Sequence, residues 1–168
     1  EDSLSQSSLK NRSLLQPMDR ARVVEIMGSR FGIPPEAFEG VSFSLRGRNV
    51  WAFSLPEIPD LAWETVGLRV ISVRGRVPKP TTAALQLFGR HATKNVVDLG
   101  TEDALKFAAG ERQRISAPVE DGYVVVSHGG DVLGCGQYLD GELISLLPKE
   151  RRIGRAEPEE GRSGRGDL

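Results

Sequence analysis

Residues Gly122–Arg152 read GYVVVSHGGDVLGCGQYLDGELISLLPKERR, and this stretch decides the fold. Three apolar runs are separated by two turn signals, Gly129-Gly130 and Asp140-Gly141, the second of which is a strong hairpin signal. The pattern predicts a β-meander of three short strands. It ends in Lys149, Arg151 and Arg152, so the meander delivers cations to one end. That arrangement suggests a small surface-binding module and does not suggest a catalytic pocket.

Outward from the meander, the chain reads as two short α+β units in sequence, the second richer in strand. In the first, Asp19 is positioned to cap a helix carrying Val23, Val24, Ile26 and Met27, ending near Gly32. Pro34-Pro35 sets a turn, with a short helical piece at Pro35–Phe38. Val41–Leu45 and Val50–Leu55 are expected strands around the turn Arg46-Gly47-Arg48-Asn49. Pro56 and Pro59 end this unit, and Leu61–Trp63 is read as a turn leading out of it. The second unit opens near Gly67 with a strand at Leu68–Val73, a turn at Arg74-Gly75-Arg76 and an extended Pro78-Lys79-Pro80 link. Thr81 or Thr82 caps a helix Ala83–Phe88 that Gly89 ends. Asn95–Leu99 is a strand, and Thr101-Glu102-Asp103 caps a helix Ala104–Ala109 stopped by Gly110. The expected division is therefore 1–18 as a flexible segment, 19–66, 67–153, and 154–168 as a flexible tail, with an α+β fold class.

Composition narrows the function classes. Hydrophobic content of 39% and charged content of 27% are those of a soluble globular chain. No apolar run approaches a membrane span, and the polar N-terminus has no secretory pattern. The single cysteine, Cys135, cannot form an internal disulfide, which fits a cytoplasmic location. Net charge is −1, but its distribution is uneven. The 33 residues between Glu64 and Asp98 hold no acid and six cations: Arg69, Arg74, Arg76, Lys79, Arg90 and Lys94. His91 lies among them. A second excess of cations occupies Lys149, Arg151, Arg152 and Arg155. Such a chain can present one basic face, the feature that attracts a phosphate backbone.

Catalytic chemistry finds little support in the residues. Asn95–Gly100 imitates the strand and turn of a nucleotide site, yet Thr101-Glu102-Asp103 places carboxylates where the loop would have to open. Val132-Leu133-Gly134-Cys135-Gly136 lies too near the end of the sequence to complete a doubly wound sheet. Cys135 has no acid–base neighbour in sequence and reads as a small buried side chain. His91 and His128, with one cysteine, cannot make a zinc site of the usual spacing. Trp51, beside Arg46 and Arg48, either stacks a base or packs internally. No cofactor and no metal are expected, and no catalytic residue is assigned.

Gly67-Leu68-Arg69-Val70, the basic link, the Thr-capped helix, the Asn95–Leu99 strand and the helix ending at Gly110 together resemble a PUA-like domain. Gly134-Cys135-Gly136, Asp140-Gly141 and Leu147-Pro148-Lys149 extend the likeness to the C-terminal PUA-like domain of Fmu-type rRNA 5-methylcytosine methyltransferases, especially archaeal relatives. Arg30-Phe31-Gly32-Ile33-Pro34, Phe38 and Gly47-Arg48-Asn49-Val50-Trp51 resemble the small unit that precedes PUA domains in Nip-type ribosome-assembly factors. The resemblance implies an α+β protein with a mixed β pseudobarrel that binds folded rRNA or tRNA without catalysis. Lys149 and Arg152 fall on cations that such domains tend to carry, whereas Ile144-Ser145 stands where they often have Lys-Asn. The methyltransferase domain itself is absent from the sequence. The expected RNA-contacting residues are Arg74, Arg76, Lys79, Arg90, His91, Lys94, Lys149, Arg151 and Arg152. The alternative is a protein-docking assembly factor that recruits a separate RNA-modifying enzyme.

Overall fold

The computed structural model describes residues 19–53 and 67–153. The segments 1–18, 54–66 and 154–168, with the flexible-tail and linker expectations placed on them, lie outside the described residues. Helix α1 (Arg20–Phe31) begins at Asp19, whose carboxylate accepts the Arg22 amide at 2.9 Å, and ends at Gly32 in the left-handed region. Both ends follow from the chemistry: a short carboxylate satisfies an orphan N–H, and glycine adopts a positive φ without strain. Val23, Met27 and Phe31 form its buried stripe. After a 3-10 turn at Pro35–Phe38 come β1 (Ser42–Arg46), β2 (Asn49–Phe53), β3 (Leu68–Ser72) and β4 (Lys79–Pro80). They form one antiparallel sheet in the order β1-β2-β3-β4. Because β3 pairs with β2, this sheet takes strands from both sides of position 66.

Helix α2 (Thr82–Phe88) is capped by Thr81 and runs into a 3-10 turn at Gly89–His91. Strand β5 (Val96–Asp98) and helix α3 (Thr101–Ala108) follow, then β6 (Gln113–Arg114) and the meander β7 (Gly122–His128), β8 (Asp131–Leu139) and β9 (Glu142–Ser145). The second sheet has the order β5-β7-β8-β9-β6, with β5 parallel to β7 and the other pairs antiparallel. The expected helix at Ala104–Ala109 in fact starts three residues earlier. Glu102 and Asp103 stand in its first turn, where carboxylates complement the helix dipole. The α+β class holds, with a mixed sheet at its centre.

One core joins α1, the first sheet, α2 and the back of β7 and β8. It includes Met27, Phe31, Val50, Val70, Leu85, Val125 and Cys135. A second gathers Val97, Phe107, Val124, Val126 and Leu143 under α3. The Gly-Cys-Gly run is where helix meets sheet. A Cβ on Gly134 would lie 2.7 Å from Leu147 Cδ2 and 2.9 Å from Thr82 Oγ1, and one on Gly136 would lie 2.9 Å from both Leu143 and Val126 side chains. Gly134→Ala is therefore expected to cost about 1–3 kcal/mol by overpacking. Gly75→Ala, whose nearest neighbour to a new Cβ is 3.8 Å away, should leave the melting midpoint nearly unchanged.

The second joint is Asn95, buried and at φ 56°. Its Nδ2 donates to the Arg30 carbonyl at 2.7 Å, and its Oδ1 accepts the Glu120 amide at 2.9 Å. From the other side, Arg30 Nε donates to the Tyr123 carbonyl at 2.7 Å and a terminal guanidinium nitrogen to the Glu120 carbonyl at 2.9 Å. These bonds tie the end of α1 to the entry of β7. Asn95→Gly keeps the backbone conformation but strands both partners, and should cost about 2 kcal/mol in denaturant unfolding. Asn95→Ala adds the left-handed strain and should cost about 1 kcal/mol more.

Candidate nucleic-acid interface

Two adjacent threonines set the geometry of the site. Thr81 fixes α2 to the first sheet: its amide donates to the Val70 carbonyl at 3.0 Å and its hydroxyl to the Arg69 carbonyl at 2.6 Å. Thr82 fixes the same turn to the second sheet, its Oγ1 accepting the Cys135 amide at 3.2 Å. The start of α2 thus holds β3 and β4 beside the chain that leaves β9. Between them lies an open cleft of about 650 Å³.

Five cations line that cleft: Arg69, Arg74, Lys79, Lys149 and Arg152. Among the described residues, no carboxylate lines it. Asn49, Ser72, Thr81, Thr82 and Tyr123 add polar atoms, and Leu146, Leu147 and Pro148 form an apolar floor. Arg69, Arg74, Lys79 and Lys149 are exposed and make no ion pair among the described residues. Arg152 is held differently. Its Nε donates to the Leu147 carbonyl at 3.1 Å, and its side chain lies across Gly110, where a Cβ would come within 2.7 Å of it. Its cationic end is therefore positioned by backbone contacts.

The two basic segments read from the sequence converge in part. Arg74 and Lys79 share the cleft with Lys149 and Arg152. Arg76 is exposed in the turn before β4 but does not line it, and Arg151 points to α2, where it donates to Gln86 Oε1 at 3.0 Å. Arg90 and His91 sit in the turn after α2, with Arg90 Nε donating to His91 Nε2 at 3.1 Å. Lys94 is exposed near the C-cap of α1. These last three do not line the cleft. Arg69 belongs to it although it was not singled out; the strand alternation that exposes it beside buried Val70 was the available signal. Tyr123 and Asn49 had no such signal, because only the tertiary fold brings them there. Trp51 is half-buried on β2 with Arg69 as its cross-strand partner.

His128 and Cys135 have structural explanations. His128 Nδ1 meets the Leu99 carbonyl at 2.7 Å, which requires the proton on Nδ1 and ties β7 to the loop after β5. Cys135 is 1% exposed. Burial pushes its thiol up to about 12, against a smaller opposing pull from the nearby Lys79 charge. Burial likewise raises the Tyr123 phenol above its ordinary value, so it stays a protonated donor at neutral pH.

A mixed sheet curled into a half-barrel, with a basic cleft beside its last strand, is consistent with a PUA-like pseudobarrel. Residues 94–153 match the family model described as the methyltransferase RsmF PUA domain. That segment runs from the residue before Asn95 through the 3-10 turn bearing Lys149 and Arg151, and the match supports a PUA-like domain similar to those of Fmu-type methyltransferases there. Compared with curated proteins, the chain shows no significant match.

The thiol carries a test of its own. A proton held more tightly in the folded state means stability is intact below the ordinary thiol value of 9.0 and falls as pH rises from there toward about 12. Cys135 should resist alkylation in the native protein and react fully in denaturant. Cys135→Ala should flatten the loss of stability above pH 9, at a slope of up to about 1.4 kcal/mol per pH unit.

Proposed function

We propose that this protein is a non-catalytic RNA-binding protein that holds folded rRNA or tRNA in its basic cleft, in RNA modification or ribosome assembly in the cytoplasm. The observation that carries this reading is the clustering of Arg69, Arg74, Lys79, Lys149 and Arg152 around one cleft that no carboxylate lines among the described residues, on a chain whose net charge is −1. A protein with no overall excess of positive charge gathers five cations around one cleft. PUA-like domains are RNA-binding modules, and the match over residues 94–153 supports the same role here. Each cleft cation neutralises a phosphate and releases a condensed counterion, so affinity falls with salt and rests little on sequence.

The cleft reaches beyond the matched segment. Arg69, Arg74 and Lys79 come from β3, β4 and the turn between them, so the preceding sheet contributes three of the five cations of the proposed RNA surface. The test is binding of a structured RNA, total tRNA or an rRNA hairpin, measured by fluorescence polarisation at two salt concentrations. Arg74→Glu and Lys149→Glu should each weaken binding to every RNA tested and lower the salt slope by about one. Arg90→Glu and Lys94→Glu, outside the cleft, should do distinctly less. Unchanged affinity and salt slope in the Arg74→Glu, Lys149→Glu double variant would show that the cleft is not the RNA surface.

A further inference from the structure

Next to the basic cleft lies a second hollow of about 420 Å³. The two share Val77, Pro80 and Tyr123, so they adjoin across a single ridge. Their chemistry differs. The hollow is walled by apolar groups such as Ile26, Phe31 and Pro78, and its two cations are already engaged. Arg22 pairs with Glu25 at 3.1 Å, and Arg30 is spent on the Tyr123 and Glu120 carbonyls. Asp121 adds an exposed carboxylate, which disfavours a phosphate there.

Two side chains in the hollow are placed to read a planar polar ligand. Tyr123 and Gln137 are cross-strand partners on β7 and β8, so both project from one face of the sheet. Gln137 is half-buried, and its amide makes no hydrogen bond among the described residues. A glutamine amide offers a donor and an acceptor side by side, the pairing used on base edges. An aromatic ring supplies the stacking surface that unpaired bases take.

We propose that this hollow receives one unstacked nucleobase of the bound RNA, while the adjoining cleft holds the phosphates on either side of it. Tyr123 packs against the base, and Gln137 reads its edge. Gln137 Oε1 and the Asp121 carboxylate are both acceptors, so a base with an exocyclic amine (adenine, guanine or cytosine) is favoured over uracil. The proposal rests on the RNA reading of the cleft. It goes further in predicting that the protein prefers a bulge or loop to a continuous duplex.

The experiment compares three RNA hairpins of one stem sequence: fully paired, with a single bulged adenosine, and with a single bulged uridine. The adenosine bulge should tighten binding about tenfold over the paired hairpin, in line with stacking of one base, and the uridine bulge less. Gln137→Leu, whose side chain is outside the cleft, should remove that gain and leave the affinity and salt slope of the paired hairpin as they were, and Tyr123→Leu should remove the gain as well. Their melting midpoints verify that both variants fold. Arg74→Glu, in contrast, should weaken all three hairpins together. No gain from either bulge while the paired hairpin binds, or a gain that survives both leucine variants, overturns the base site and leaves the cleft standing. Equal gains from adenosine and uridine overturn the amine preference. Failure of all three hairpins to bind at low salt overturns the RNA reading and the base site with it.

Discussion

The structure depends on the first turn of α2 being fixed at once to both sheets. Thr81 gives its hydroxyl to the Arg69 carbonyl of β3, and Thr82 accepts the Cys135 amide of β8. Neither bond has much room for adjustment, since a threonine hydroxyl sits one carbon from the backbone and is stiff at χ1. The approach is possible because Gly134 has no side chain: its missing Cβ is the space that Thr82 and Leu147 fill. Without this joint, the two sheets would be linked only through α1 and an apolar core, which tolerates sliding. With it, β4 and the chain after β9 are set on either side of one cleft.

The electrostatic character of the cleft follows from this placement. A stretch free of acids supplies Arg69, Arg74 and Lys79, and the end of the meander supplies Lys149 and Arg152. The acids go to other surfaces: Glu102 and Asp103 to the start of α3, Glu120 to Arg30, and Glu142 to Arg112 and Arg114. The cleft cations have no carboxylate partner among the described residues, so they repel one another and a polyanion relieves the repulsion. Surface ion pairs in the rest of the molecule contribute little to its stability, each about 0–1 kcal/mol. Their larger effect is to keep carboxylates away from the cleft.

Local elements were legible wherever a residue acts on its own neighbours. Asp19 caps α1, Gly32 ends it, Thr81 caps α2, and Asp140-Gly141 turns β8 into β9, each through contacts within a few residues. The reading of Gly134-Cys135-Gly136 as a close-packing site also came from local composition. Asn95 was less legible. It was assigned to a strand, whereas its left-handed backbone and two side-chain bonds make it a joint between segments 25 and 65 residues away. No local pattern announces such a role, because its partners are backbone groups of no fixed residue type.

By itself, the sequence determined the meander, the helices and their caps, the burial of Cys135, and the gathering of cations into two segments. Periodicity and capping are short-range physics, and charge runs can be counted. Tertiary structure decided which of those cations meet. It drew Arg69 into the cleft, left Arg90, His91 and Lys94 outside it, and turned Arg151 toward Gln86. It also brought Tyr123 and Gln137 together beside the cleft. The physical reason is that a side chain's direction is set by the pleat and register of strands distant in sequence. Those are fixed only when α2 locks the sheets together.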